Sequence, residues 1–141
     1  MTAKEYLKQL KKLDVMINQE VKELEELRLK AMSIGSIDYS KGRTQTNSFK
    51  GAPFVELIEH IADLEAEINI DIDKLVDRKH KIIKQIQALD DTNYMEILYK
   101  RYVEFKKLEE IAVEMNFTYQ YTREIHGYAL QKFETTYKNL F

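Results

Sequence analysis

Glycine and proline are nearly missing from this chain, with 4 and 1 respectively in 141 residues. So few breakers cannot supply the many turns of a β-sandwich or barrel, so long uninterrupted elements are expected. Hydrophobic residues make up 44% and charged residues 33%, a balance foreign to both disordered tails and membrane-embedded bundles. Cysteine is absent, which excludes a disulfide framework and thiolate chemistry and fits a reducing cytoplasm. No run of about 18 apolar residues occurs, and the opening Met-Thr-Ala-Lys-Glu lacks the apolar core of a signal peptide. A cytoplasmic protein with no membrane association is expected.

Two stretches carry helical periodicity over unusual lengths. Thr2-x-x-Glu5 has the form of a capping box, in which a hydroxyl and a carboxylate satisfy the first free backbone amides. Ala3, Tyr6, Leu10, Leu13, Ile17, Leu24, Leu27 and Ala31 follow at spacings of three and four, predicting a helix over 3–32. Glu20 interrupts this stripe. Pro53 suits a first helical turn, where its missing N–H costs nothing. From Phe54 to Leu89 a second stripe runs through Ile61, Leu64, Ile68, Leu75, Ile82 and Ile86, with drift expected at Ile68–Leu75 because a strict heptad would bury Asp71. Neither stripe can be buried alone. A long antiparallel, coiled-coil-like hairpin over 1–89 is the expected arrangement, with a dimer through the same seams as its rival. The polar stretch 33–53 reads as the connecting loop. Its Asp38–Thr46 portion, an aromatic among basic and polar side chains, could contact phosphate, but a mobile connector is the expected reading.

After Leu89 the pattern shortens. Asp90-Asp91-Thr92 offers capping chemistry, and Tyr94, Ile97, Leu98, Tyr102 and Val103 recur at helical spacing. Leu108–Met115 and Thr118–Tyr137 then flank Asn116. Crossing helices need a small residue, and Ala112 supplies it. The turn needs tolerance of left-handed backbone, which Asn116 has, and the next helix needs an N-cap, which Thr118 provides. Where a β-branched apolar residue usually locks such helices together stands Thr122, which has the branch but also a hydroxyl. These features predict a helix-turn-helix over 90–141 and make the protein all-α.

The run Arg101-Tyr102-Val103-Glu104-Phe105-Lys106-Lys107-Leu108-Glu109-Glu110-Ile111-Ala112 resembles the Arg-Tyr-x-Glu-Gly-x-Ser-Leu-Glu-Glu-Ile-Ala run of region four of bacterial sigma factors. Ala129-Leu130-Gln131-Lys132-Phe133 is similar to the close of that region's recognition helix. Phe105 stands where the pattern has Gly, Lys107 where it has a capping hydroxyl, and Tyr119 where it often has Arg. Long helices followed by such a C-terminus also resemble the ArpU/RinA-like late transcription regulators of phages and prophages of Gram-positive bacteria. The resemblance implies double-stranded DNA as partner, with RNA polymerase a further one. It places Tyr119, Gln120, Arg123 and Glu124 against base edges, and Lys106, Lys107, Tyr121 and Lys132 are candidates for phosphate.

Charge sets the difficulty for this reading. The net formal charge is −2, and residues 92–141 balance 7 basic against 7 acidic groups. The acidic excess lies in residues 54–91, with 5 basic and 10 acidic groups. Phosphate neutralisation dominates DNA affinity, so a neutral domain is expected to bind as a homodimer that links two half-sites. A helical protein-interaction module and a phage DNA-packaging recognition subunit are the alternative functions.

Other chemistry finds little support. Glu56, His60, Asp63 and Glu67 share a helix face, and Asp77-x-x-His80 has half of a di-iron spacing. A second Glu-x-x-His helix is missing, so a solvated acidic face is expected and no metal or cofactor. His126 is expected at the surface or facing DNA. No Gly-x-Ser-x-Gly, Walker loop or dinucleotide fingerprint occurs, and no enzymatic activity is expected.

Overall fold

Thr2 opens the first helix as its sequence requires. Its Oγ1 accepts from the Glu5 amide at 3.2 Å while its own amide donates to the Glu5 carboxylate at 2.9 Å. In the computed structural model, which describes residues 1–41 and 47–140 and the side chains of 1–33 and 54–140, α1 runs Ala3–Lys41 and α2 runs Asn47–Gln87. Both intrude on the expected loop 33–53. Helix propagation adds one hydrogen bond per residue, so polar residues next to a long helix extend it unless a breaker intervenes. Pro53 lies inside α2 and does not begin it. The side chains of the Asp38–Thr46 phosphate candidate lie outside the described residues.

The remaining elements are short: α3 (Thr92–Leu98), a π-helical turn (Tyr99–Val103), α4 (Leu108–Met115), α5 (Tyr119–Thr136) and a final 3₁₀ turn (Lys138–Leu140). Every described element is helical, and the protein is all-α. Asp91 caps α3 by accepting from the amides of Asn93 and Tyr94. No helix among the described residues is long and apolar enough to cross a membrane.

The chain divides into two compact units that do not meet at residue 89. One contains Met1–Val15 and Val76–Phe141, the other Met16–Leu75. In the first, Tyr6 donates to Gln85 at 2.7 Å and Lys79 pairs with Asp14 at 2.7 Å, so α1 and α2 run antiparallel there. The aromatic ring of Phe133, fully buried, sits 5.9 Å from Tyr6 and 4.8 Å from Tyr137. Tyr137 in turn donates to the Gln85 carbonyl at 2.7 Å. Burying a side chain of that size stabilises by about 1.5–3 kcal/mol, and here α1, α2 and α5 all contribute to its surroundings. Leu7, absent from the expected stripe, is also fully buried.

In the second unit Arg28 approaches Glu65 at 4.0 Å, and Leu24, Ile61, Ile68 and Leu75 are buried. At Ile68–Leu75 the half-buried residue is Ile72, not the strict-heptad Asp71, as the expected drift requires. Buried Ile61, Ile68, Leu75 and Ile82 keep a seven-residue spacing on one row of α2, and Asp71 stays exposed. Glu20 occupies its seam position half-buried. Its carboxyl is raised above the ordinary value, first by desolvation and then by the negative charges of Asp71, Glu23 and Glu67.

Candidate nucleic-acid interface

The connection between α4 and α5 follows from four side chains. Ala112 is buried, with no bulk to hold the helices apart. Asn116 adopts the left-handed region at φ 60°, the conformation for which its type was expected. It closes α4 with two backbone bonds, Asn116 N–H to the Val113 carbonyl at 3.3 Å and Phe117 N–H to the Ala112 carbonyl at 2.9 Å. Thr118 caps α5 by accepting from the Tyr121 amide at 3.1 Å. Thr122 is fully buried, and its hydroxyl donates to the Thr118 carbonyl at 2.8 Å, so its polar atom does not go unsatisfied.

Buried Thr122, Ile125, Ala129 and Phe133 fix which side of α5 faces inward. Tyr119, Gln120, Arg123 and Glu124 are therefore exposed together on its first two turns. At about 100° per residue they span an arc of roughly 140°. The Arg123 guanidinium lies 5.9 Å from the Tyr119 ring centroid, which restrains the arginine without occupying its donors. Tyr121 lies beyond Glu124, its ring edge-on to Phe117 at 4.9 Å. Lys132 is exposed along the same flank as Tyr121, about half a turn round the helix from Arg123.

The lysines before α4 are differently placed. Lys106 pairs with Glu114 at 2.8 Å and stands 3.7 Å from Glu104. Lys100, not singled out by the sequence, meets the same Glu114 Oε1 at 2.7 Å. These bonds hold the Glu114 carboxyl below its usual range and raise Lys106. Lys107 is exposed at the N-cap of α4, with no side-chain capping bond, as its replacement of a hydroxyl residue implies.

His126 is corrected. Its Nε2 lies 2.8 Å from the Tyr102 hydroxyl, and the ring is half-buried, not turned outward. Burial first, then the positive charges of Arg101 and Lys4, push its pKa down to about 4. Burial likewise pushes Tyr102 up to about 12, against the opposing effect of Arg101. Aromatic type and helical spacing fit an outward histidine equally well, so only the fold reveals this partner.

Phe105 also explains a departure. It sits at φ 59°, in the region where glycine costs least. The preceding π turn widens the ladder, with Glu104 N–H bonded to the Tyr99 carbonyl and Lys106 N–H to that of Lys100. A side chain in this conformation costs about 1–2 kcal/mol. It is offset where Lys11 lies 4.5 Å over the Phe105 ring. Arg101 Nη1 donates to the Lys106 carbonyl at 2.9 Å and steadies the same turn. Leu7, Lys8, Lys11, Arg101, Tyr102 and Phe105 together line a groove.

No family model, curated protein or solved structure matches this chain. Among the described residues no group of three or more His, Cys, Asp or Glu gathers as metal ligands would.

Proposed function

We propose that this protein is a sequence-specific DNA-binding regulator in which α4 and α5 form a sigma-like helix-turn-helix and α5 enters the major groove. The observation that carries the reading is the ordered set Ala112, left-handed Asn116, capping Thr118 and buried Thr122, which presents Tyr119, Gln120, Arg123 and Glu124 on one exposed arc. Arg123 suits a bidentate contact with guanine, and Gln120 suits adenine. Tyr121 and Lys132 flank the arc on α5, and they and Lys107 would meet phosphate, as would Lys106 once it leaves Glu114. The long α1 and α2 would form an antiparallel hairpin that carries the dimer contact, setting two recognition helices at a fixed separation. A role in phage late-gene control, with RNA polymerase as a further partner, follows from the resemblance.

The test is selection from a pool of random duplexes, followed by Arg123→Ala. Loss of a bidentate base contact costs about 1–3 kcal/mol, roughly 5- to 150-fold in affinity, and relaxes preference at the contacted position. An unchanged affinity and preference would overturn the groove assignment. Val113, 78% exposed on α4, favours the second reading, a protein-interaction module. Wild-type protein that binds no duplex, even at low salt, would select that reading.

A further inference from the structure

Lys4, Lys8 and Lys11 recur at spacings of four and three on the first turns of α1, so they share one face of that helix. All three are exposed. Lys8 and Lys11 line the groove that also contains Arg101 and Tyr102, and the Tyr102 hydroxyl lies 2.8 Å from His126 Nε2 of α5. Among the described residues none of these four cations has a carboxylate within ion-pair distance. That sets them apart from Lys100 and Lys106, which Glu114 occupies. The unit that holds them contains 15 basic and 12 acidic groups, a net charge of +3, whereas residues 92–141 alone are neutral.

Their position relative to α5 gives the patch its meaning. Around α5, His126 lies about 60° from Arg123 on the side away from Glu124. The helix α1 meets α5 on that side, where Tyr6 lies 5.9 Å from Phe133 and the groove of Lys8 and Lys11 shares Tyr102 with His126, while Tyr121 and Lys132 border the other flank. A helix in a major groove has a phosphate strand on each side. Lys4 to Lys11 spans about 10 Å along the helix, close to the axial rise of about three nucleotide steps of one strand.

We infer that Lys4, Lys8, Lys11 and Arg101 form a binding surface for the sugar-phosphate backbone of duplex DNA, opposite the Tyr121–Lys132 flank. This rests on the proposed groove reading by α5. It assigns a DNA-binding role to the first turns of the chain, where no recognition motif lies.

The experiment measures binding to a random-sequence duplex and to a selected duplex over a range of salt. It compares the wild type, Arg123→Ala and the triple variant Lys4→Gln, Lys8→Gln, Lys11→Gln. Each phosphate contact contributes a salt slope of about −0.9, so the triple variant should lose about 2–3 from the slope. Its affinity should fall on the order of 100-fold near 0.1 M salt for both duplexes, with sequence preference retained. Arg123→Ala should instead lose preference. DNA binding with a slope that the triple variant leaves unchanged would overturn this inference alone. Loss of binding to vesicles of anionic lipid, with the DNA slope intact, would likewise overturn it. Absence of duplex binding by the wild type would overturn the groove reading as well. Should the triple variant lose its helical signal, the double variant Lys4→Gln, Lys8→Gln spares the Phe105 contact and should lose about 2 from the slope.

Discussion

His126 and Tyr102 join α5 to the π turn through a pair of groups that both resist charging, with pKa values near 4 and 12. The histidine gives folding a pH dependence of definite sign. Its folded value is below the unfolded value of about 6.5, so the unfolded chain takes up a proton first as pH falls. The associated stability is complete above about pH 6.5 and is lost as pH falls towards 4. Between pH 7 and pH 5 this should cost on the order of 1–2 kcal/mol, discounted for the ring's remaining exposure. Urea denaturation should show that loss in the wild type and a flatter profile in His126→Gln. Equal pH dependence in both would remove His126 from the account. Legibility at this scale was uneven. Asn116, Thr118 and Thr122 behave as their types require, because local backbone geometry fixed their roles. Tyr102 and His126, by contrast, meet only through tertiary packing, and Phe105 hid its left-handed backbone behind a residue type that rarely adopts it.

Helix starts were the most legible elements, since Thr2, Asp91 and Thr118 each bond the amides that their positions predict. Helix ends were less so, because α1 and α2 both run on into the polar stretch that reads as a loop. Seam register was legible in part: the seven-residue row of α2 is plain once its phase is known, but its flanking apolar positions suggested a second phase. Gly127 exposes a different property of α5. It lies in the middle of the helix, and a methyl added there would meet no atom within 4 Å. Glycine in such a place destabilises by about 0.5–1 kcal/mol relative to alanine, with no contact inside the chain to require it. Gly127→Ala should therefore raise the urea midpoint without altering its slope. A lowered midpoint would show that the exposed side of α5 is already engaged. If α5 approaches DNA closely along its third turn, the same substitution weakens duplex binding while it stabilises the fold.

For the whole molecule, charge is partitioned between the two compact units, +3 in one and −5 in the other. The sequence showed the acidic excess but not the basic one, because the α1 lysines lie about a hundred residues from the helix they border. The fold class and the short helices α3 to α5 could be read from periodicity and capping. Half of the charged surroundings of α5 could not, since they arise from distant segments. The all-helical architecture also bears on assembly. Long apolar seams with exposed Leu29, Met32 and Val55 suit a further helical partner. Sedimentation equilibrium at micromolar concentration should give a mass near twice 16.8 kDa. A strict monomer would leave two-half-site binding without a basis.

The surroundings of Phe133 and Phe105 have a consequence for how such a protein can evolve. Tyr6 and Gln85 close one end of the C-terminal helices, and Lys11 covers the strained turn at Phe105. A chain cut at residue 90 would leave both walls behind. The last third is thus not a portable cassette of the kind recombination can move freely between unrelated proteins. To stand alone it would need a residue at ease in the left-handed backbone at position 105 and a new covering for the core that α1 supplies.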